Sequence, residues 1–489
     1  MLRRTRRTPR SRLATAAATL GCLVWGAVAA VCQPLAAEEP RYELGQRLRA
    51  VEAAWEANRD PQARDRGAGF LHEAVRGFFG LSRISTAQSL DRARVALDFP
   101  EGAPPGLEAA LALVVDRPAR LFDVGTESVP LTLARLYPVE SPEGPPAVIS
   151  LILFDGEGRE VAAAAAEIAG LPRDLVVPVR SLGEGDYRLA VRVAGDGFEV
   201  ELGERTLSFA DDPAGRVARL RAAVGPRPPL DGTAAATLAD RVVLLERLLA
   251  GTDLETDFPA TRLLAEAEIV LQNLERGDDP ALPMAAGEHW LTLADELGTA
   301  RVRLYVPEAI AEGPRPLVLA LHGAGGSENL FFDAYGRGRT VELCRDRGWL
   351  MLAPRATPLG PPMTLQRLID ALDEVTAIDR ERVALVGHSM GAAQALRAVG
   401  ECRPPPRAVA ALGGGGWFGF DGDLSGTAFL VAVGSRDFAL PAAQSLSEDL
   451  ARAGAGHVVF REYAGIEHMM IVQETAKEVF AFFDESLGK

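Results

Sequence analysis

Lysine is almost missing from this 489-residue chain: of 52 lysines and arginines, only Lys477 and Lys489 are lysine. A Ser–Lys dyad or a Schiff-base mechanism therefore has no candidate amine. Cysteine is scarce as well. Two of the four cysteines precede residue 38, which leaves Cys344 and Cys402 and no C-x-x-C spacing. These two could pair in an oxidising compartment or stand as separate buried thiols. The six histidines do not cluster with carboxylates at ligand spacing, so a metal site is not expected, and no motif implies a cofactor. Beyond the N-terminal segment, no run is long and apolar enough to span a bilayer.

The N-terminal segment has its own composition. Arg3, Arg4, Arg6, Arg7, Arg10 and Arg12 precede an apolar stretch from Leu13 to Val31, then small residues near Ala36 and Ala37 and the acidic Glu38-Glu39. This layout predicts export, to the periplasm, cell surface or exterior, with residues 1–37 acting as a signal peptide cleaved near Ala37 or as an N-terminal anchor. Thr19 departs from a lipoprotein signal at Cys22, and Thr8-Pro9 departs from a twin-arginine signal at Arg6-Arg7. Without this segment the formal charge moves from −15 to −21, since 46 basic residues then face 67 acidic ones. So anionic a body is a poor partner for nucleic acid, and any membrane tether would run through the N-terminal segment alone.

Apolar residues make up 48% and charged residues 24%, ordinary for a globular protein, and the length predicts roughly two to four domains. Residues 38–105 read as helical, with Leu44, Leu48, Val51 and Trp55, then Leu71, Val75 and Phe78, at helical spacing. Residues 106–210 read as a β-sandwich accessory domain. Val148 to Phe154 stops at the turn Asp155-Gly156-Glu157-Gly158, and Tyr187 to Val193 alternates with period two. In pattern this stretch resembles immunoglobulin-like accessory domains of secreted enzymes. Residues 211–284 read as a helical hairpin spacer broken near Asp257-Phe258-Pro259. From residue 285 to 489, short apolar runs alternate with helices, which predicts a mostly parallel sheet covered by helices on both faces.

Chemistry concentrates in that last region. Gly387-His388-Ser389-Met390-Gly391 follows an apolar run and opens a helix, the context that gives G-x-S-x-G its meaning as a nucleophile elbow. The tight turn strains Ser389 and demands glycine on either side. Upstream, His322-Gly323-Ala324-Gly325-Gly326 follows Leu317 to Leu321, and the N–H groups of Ala324 and Met390 are the expected oxyanion donors. Elimination among the histidines leaves His468 as the base, in a loop after the last strand. Asp437, in Gly434-Ser435-Arg436-Asp437, is the expected orienting acid, giving the order Ser, Asp, His. Asp421 and Asp423 compete for that role, and Glu467 reads as a surface charge beside His468. Trp417, Phe418 and Phe420, after Gly413-Gly414-Gly415-Gly416, are the expected substrate-pocket aromatics, with a plain packing loop as the alternative.

With these pieces assembled, residues 290–489 resemble the α/β-hydrolase superfamily, most closely its secreted polyhydroxybutyrate depolymerase and feruloyl-esterase branch. The resemblance implies catalytic roles for Ser389, Asp437 and His468. Two features depart from the branch: Ala392 replaces a glycine after the elbow, and the segment from Pro354 to Thr364 leaves little room for a lid. The expected function is cleavage of a small or polymeric carboxylic ester by a serine esterase. Two rivals stand beside it, a prolyl-oligopeptidase-like serine peptidase and a cell-surface binding protein with an inactive hydrolase domain.

Overall fold

In the computed structural model, the described residues are 39–488 except 140–145, 169, 181, 226–231, 253, 279–280, 309–312, 358 and 417–422. The expectations for residues 1–37, for Asp421 and for Trp417, Phe418 and Phe420 fall outside them.

Three helices come first: α1 (Glu39–Ala57), α2 (Pro61–Phe79) and α3 (Arg83–Asp98). Pro61 sits in the first turn of α2, where its missing N–H costs nothing, and Asp60 caps that helix by accepting from the Ala63 N–H at 2.8 Å. A short helix α4 (Leu107–Leu111) leads into β1 (Leu113–Asp116), β2 (Leu121–Asp123), β3 (Ser128–Arg135), β4 (Val148–Phe154), β5 (Glu160–Glu167), β6 (Arg173–Pro178), β7 (Gly185–Gly195) and β8 (Phe198–Ala210). These strands form two sheets, ordered β1-β3-β6 and β2-β8-β7-β4-β5. Alternate residues such as Val129, Leu131 and Leu133 on one sheet and Leu189, Val191 and Val193 on the other enclose one shared core.

Three more helices follow where a two-helix hairpin was expected: α5 (Pro213–Val224), α6 (Thr233–Leu249) and α7 (Ala260–Arg276). Nor do they form a spacer. Val242, Leu245, Leu263 and Leu264 lie in one apolar cluster with Leu291, Leu293 and Val302 of the strands that come next. The periodic stripes in the sequence show that these helices have an apolar face without showing what covers it.

The large sheet contains β9 (Gly287–Asp295), β10 (Gly298–Val306), β11 (Arg315–Leu321), β12 (Leu350–Pro354), β13 (Ile378–His388), β14 (Ala408–Leu412), β15 (Ala428–Gly434) and β16 (His457–Tyr463). Between them run α8 (Leu330–Asp333), α9 (Arg339–Arg347), α10 (Leu365–Asp373), α11 (Met390–Glu401) and α12 (Leu440–Arg452), and α13 (Ile471–Leu487) closes the chain. The strand order is β9-β10-β12-β11-β13-β14-β15-β16. The pairs β9–β10 and β10–β12 are antiparallel, and every pairing from β12 to β16 is parallel. Parallel strands need crossovers, and the intervening helices cover both faces, so β14 is buried along its whole length.

The period-two geometry of β11 sorts its side chains between two clusters. Leu317, Leu319 and Leu321 join α10, α11 and α12, whereas Val318 and Ala320 join α13 and α9. That second cluster also contains Leu48, Val51, Trp55, Leu71 and Leu90 of α1–α3. The first three helices therefore share a core with the large sheet rather than forming a separate unit. Polar contacts lock them there. The Trp55 indole N–H donates to Glu474 at 2.6 Å, and Arg337 and Arg339 pair with Glu56 at 2.8 and 2.9 Å. On their other side, buried Arg47 bonds Asp91 at 3.0 Å and the Leu111 carbonyl at 3.0 Å, and Tyr42 donates to Asp257 at 2.7 Å.

Candidate active site

Ser389 stands between the end of β13 and the first residue of α11, with φ 55° and ψ −114°. An L-residue adopts this conformation only when its surroundings impose it. Here the neighbours are backbone: a Cβ on Gly387 would lie 2.2 Å from the Gly391 carbonyl oxygen, and one on Gly391 would lie 2.0 Å from that of Leu321. The Ser389 N–H is held by the Leu412 carbonyl of β14 at 2.8 Å. The side chain is presented at the parallel strands' carboxyl edge, over the start of a twelve-residue helix whose dipole favours nearby negative charge.

His468 follows β16 and is buried, and its Nδ1–H donates to Asp437 at 2.9 Å (Oδ1) and 3.0 Å (Oδ2). Asp437 follows β15, is also buried, and accepts the Ala439 N–H at 2.8 Å. Gly413 makes this pairing possible, because a Cβ there would come within 2.8 Å of Asp437 and 3.3 Å of His468 Nδ1. Ser389 and His468 line one cavity of about 170 Å³, together with Gly323, Ala324 and Gly325. With Nδ1 engaged by the carboxylate, Nε2 is the ring nitrogen left to serve as base.

Asp423 does not take part: it is exposed and accepts the Ser425 N–H. Glu467 is not a surface charge, being only 1% exposed. One of its oxygens accepts the Met469 N–H at 2.8 Å, and the other has no hydrogen-bond partner. The run after β16 turns inward at Ile466 and carries Glu467 with it, which no sequence period could show. Burial raises its pKa from the usual 4.5 to about 7, opposed by the neighbouring His468. The folded state thus holds this proton more tightly than the unfolded chain. The stability this provides is complete below pH 4.5 and is lost as pH rises to about 7, by about 3 kcal/mol. Glu467→Gln should flatten that part of the denaturation-midpoint profile between pH 4.5 and 7. An unchanged slope would show that other groups set it.

The remaining histidines separate cleanly. His72 and His457 are exposed, and His289, on β9, bonds the Ala285 carbonyl just before that strand. His322 is buried and neutral, its pKa lowered to about 4 by burial. It donates from Nδ1 to the Gly323 carbonyl at 2.8 Å and accepts the Ala356 N–H at Nε2, which fixes the loop that carries Ala324.

A residue that sequence reasoning missed connects the two halves of the site. Tyr335, buried and held at φ 46°, donates to His388 Nδ1 at 2.5 Å and accepts the Gly323 N–H at 3.3 Å. His388 in turn donates from Nε2 to the His468 carbonyl at 3.0 Å. The glycine loop, the elbow and the backbone of His468 are thereby tied into one chain of hydrogen bonds. Burial, then the charge of His468, holds the His388 pKa well below its ordinary value, so it stays neutral and keeps this tautomer. Nothing local in the sequence marks Tyr335, which lies 53 residues from its partner. Tyr335→Phe leaves two buried groups unsatisfied, a loss of about 1–3 kcal/mol. The expected consequence is a kcat about tenfold lower with little change in KM, since its hydroxyl is engaged by His388 and Gly323 and acts by positioning them. An effect confined to KM would contradict that role.

Among the described residues no group of three or more histidine, cysteine or acidic side chains could hold a metal, and Cys344 and Cys402 are both free and buried. Burial raises both thiols, that of Cys402 to about 12, so neither is a nucleophile near neutral pH. Among the described helices none is long and apolar enough to cross a membrane.

No protein-family model and no curated protein matches the chain. Solved structures similar to part of it include a mutant feruloyl esterase module from Clostridium thermocellum complexed with sinapinate. That likeness has 15% identity and a TM-score of 0.36, over 42% of this chain and 92% of that one. A substrate-bound fluorophosphonate-binding serine hydrolase of Staphylococcus aureus has 13% identity and a TM-score of 0.34, over 41% and 99%. An S-formylglutathione hydrolase of the same organism has 12% identity and a TM-score of 0.33, over 40% and 99%.

Proposed function

We propose that this protein is a serine hydrolase of the α/β-hydrolase type that cleaves carboxylic esters through an acyl-enzyme, with Ser389 as nucleophile, His468 as base and Asp437 as orienting acid. The observation that carries the proposal is the buried Asp437–His468 pair, bonded at 2.9 Å, opening onto the same cavity as the strained Ser389. Ser389 and His468 line that cavity, Asp437 is bonded to His468, and the three residues follow three different strands, β13, β15 and β16, which supports the reading.

In this reading His468 Nε2 takes the Ser389 proton as Oγ attacks the ester carbonyl. The Ala324 and Met390 N–H groups then receive the developing oxyanion. Ala324 lines the cavity and Met390 opens α11, so the two donors follow the carboxyl ends of the neighbouring parallel strands β11 and β13. His468 next protonates the leaving alcohol, and finally activates the water that frees the acid. Asp437 holds the Nδ1–H tautomer and stabilises the charged ring. The chemistry needs no cofactor. We place the protein outside the cytoplasm, exported or tethered through residues 1–37.

A panel of p-nitrophenyl esters and peptide p-nitroanilides tests the reading. The expected result is turnover of esters with anilides left intact. Anilide cleavage at comparable kcat/KM would favour the peptidase, and inertness toward both would favour a binding protein.

A further inference from the structure

We propose that helices α1–α3 form the acyl-binding wall of the active site and select esters whose acyl group is apolar and longer than acetyl; this deepens the ester-hydrolase reading and rests on it. The helices lie some 300 residues before the elbow in sequence, yet Leu44, Leu48, Val75, Phe78 and Leu90 line the cavity that contains Ser389 and His468. Leu330, just beyond the glycine loop, lines the same cavity. Contact with the loop is direct. A Cβ on Gly325, whose φ is +78°, would lie 2.3 Å from the Phe78 ring, so the ring rests on the backbone beside Ala324. A second line of rings runs from Phe79 to Phe438 and on to His468, with centroids 6.4 and 4.4 Å apart.

Position assigns the wall to the acyl side. The leaving alcohol must depart next to His468 Nε2, which protonates it. The wall instead rises from the loop that receives the carbonyl oxygen, through Phe78 on Gly325 and through Leu330 and Ala334. Charge points to a neutral acyl group. At the cavity margin Glu255 pairs with Arg355 at 3.1 Å and with Arg41 at 3.9 Å, and Asp333 pairs with Arg303 at 2.9 Å. The wall is also fixed, since α1–α3 share the sheet's core and are pinned by Glu56 and Trp55. Among the described residues of the ten-residue segment between β12 and α10, none lines the cavity. A fixed apolar wall reads acyl length, at roughly 0.8 kcal/mol or about fourfold in kcat/KM per buried methylene.

The test uses the full chain and p-nitrophenyl acetate, butanoate, hexanoate and octanoate, with active sites counted by a dialkyl fluorophosphonate. The wild-type kcat/KM should climb about fourfold per added methylene until the cavity is full. Leu44→Phe, which narrows the cavity, should lower the octanoate-to-acetate ratio at least tenfold, and Phe78→Ala should move the optimum to a longer chain. A flat or falling wild-type series would overturn the proposal. So would ratios unmoved in both variants at full labelling, or a dependence on alcohol length in an alkyl acetate series with none on acyl length. Failure of the wild-type protein to label at all would instead defeat the ester-hydrolase reading beneath it.

Discussion

Ser389→Ala should lower kcat toward an activated ester by about 10⁵- to 10⁶-fold while KM stays close to that of the parent protein. The side chain is small and sits at a turn already determined by backbone crowding, since glycines 387 and 391 meet carbonyl oxygens at 2.2 and 2.0 Å. Removing one oxygen therefore leaves the turn, the cavity and the Asp437–His468 pair in place. What disappears is the acyl-enzyme route. The residue that remains at 389 can neither attack nor be acylated, and the surviving rate comes from donors and binding acting on water, a residual 10³–10⁴ over the uncatalysed reaction. Steady-state kinetics with an unaffected melting profile would establish the effect. A loss below a hundredfold would mean that the nucleophile is elsewhere.

Asp437→Asn is expected to cost about 10⁴-fold in kcat, by a different route. The carboxylate accepts from His468 Nδ1 through both oxygens, at 2.9 and 3.0 Å, and its Oδ1 also accepts the Ala439 N–H. An amide keeps its oxygen on the Ala439 N–H and turns its NH₂ toward the imidazole. Nδ1 is then asked to accept rather than donate, so the ring's proton moves to Nε2. A ring protonated there cannot take the Ser389 proton. Shape and volume are nearly unchanged, so stability should fall little, and the defect should appear in kcat more than in KM. Equal activity of the amide variant would assign the orienting role to another acid.

The site was legible in the sequence to the extent that its chemistry is local. The elbow spans five residues, its glycines are dictated by contacts within one turn, and the alternation of apolar runs with helices placed it at a strand end. His468 emerged because only six histidines compete. Other features depend on contacts over long separations and left no trace in any window. Tyr335 is an unremarked aromatic until it meets His388 and Gly323. Glu467 reads as exposed because most acids are, whereas the chain buries it at 1% exposure. The helices at 39–98 show amphipathic stripes, but a stripe states only that something apolar covers it. That cover is the large sheet, through Val318 and Ala320, and the uncovered remainder of the face lines the cavity. The aromatics expected of the pocket, Trp417, Phe418 and Phe420, lie outside the described residues, and nothing in the sequence marked Phe78 of α2, which rests on the glycine loop.

The proposed linkage of Ser389 to His468 and on to Asp437 is tested most directly by treating the folded protein with a dialkyl fluorophosphonate and mapping the adduct by peptide mass spectrometry. One phosphonyl group per chain should appear, on the peptide that carries Ser389. The labelling rate should fall by orders of magnitude in His468→Ala, and the adduct should be absent after heat denaturation. Modification at another residue, or labelling of Ser389 at an equal rate without His468, would contradict the account.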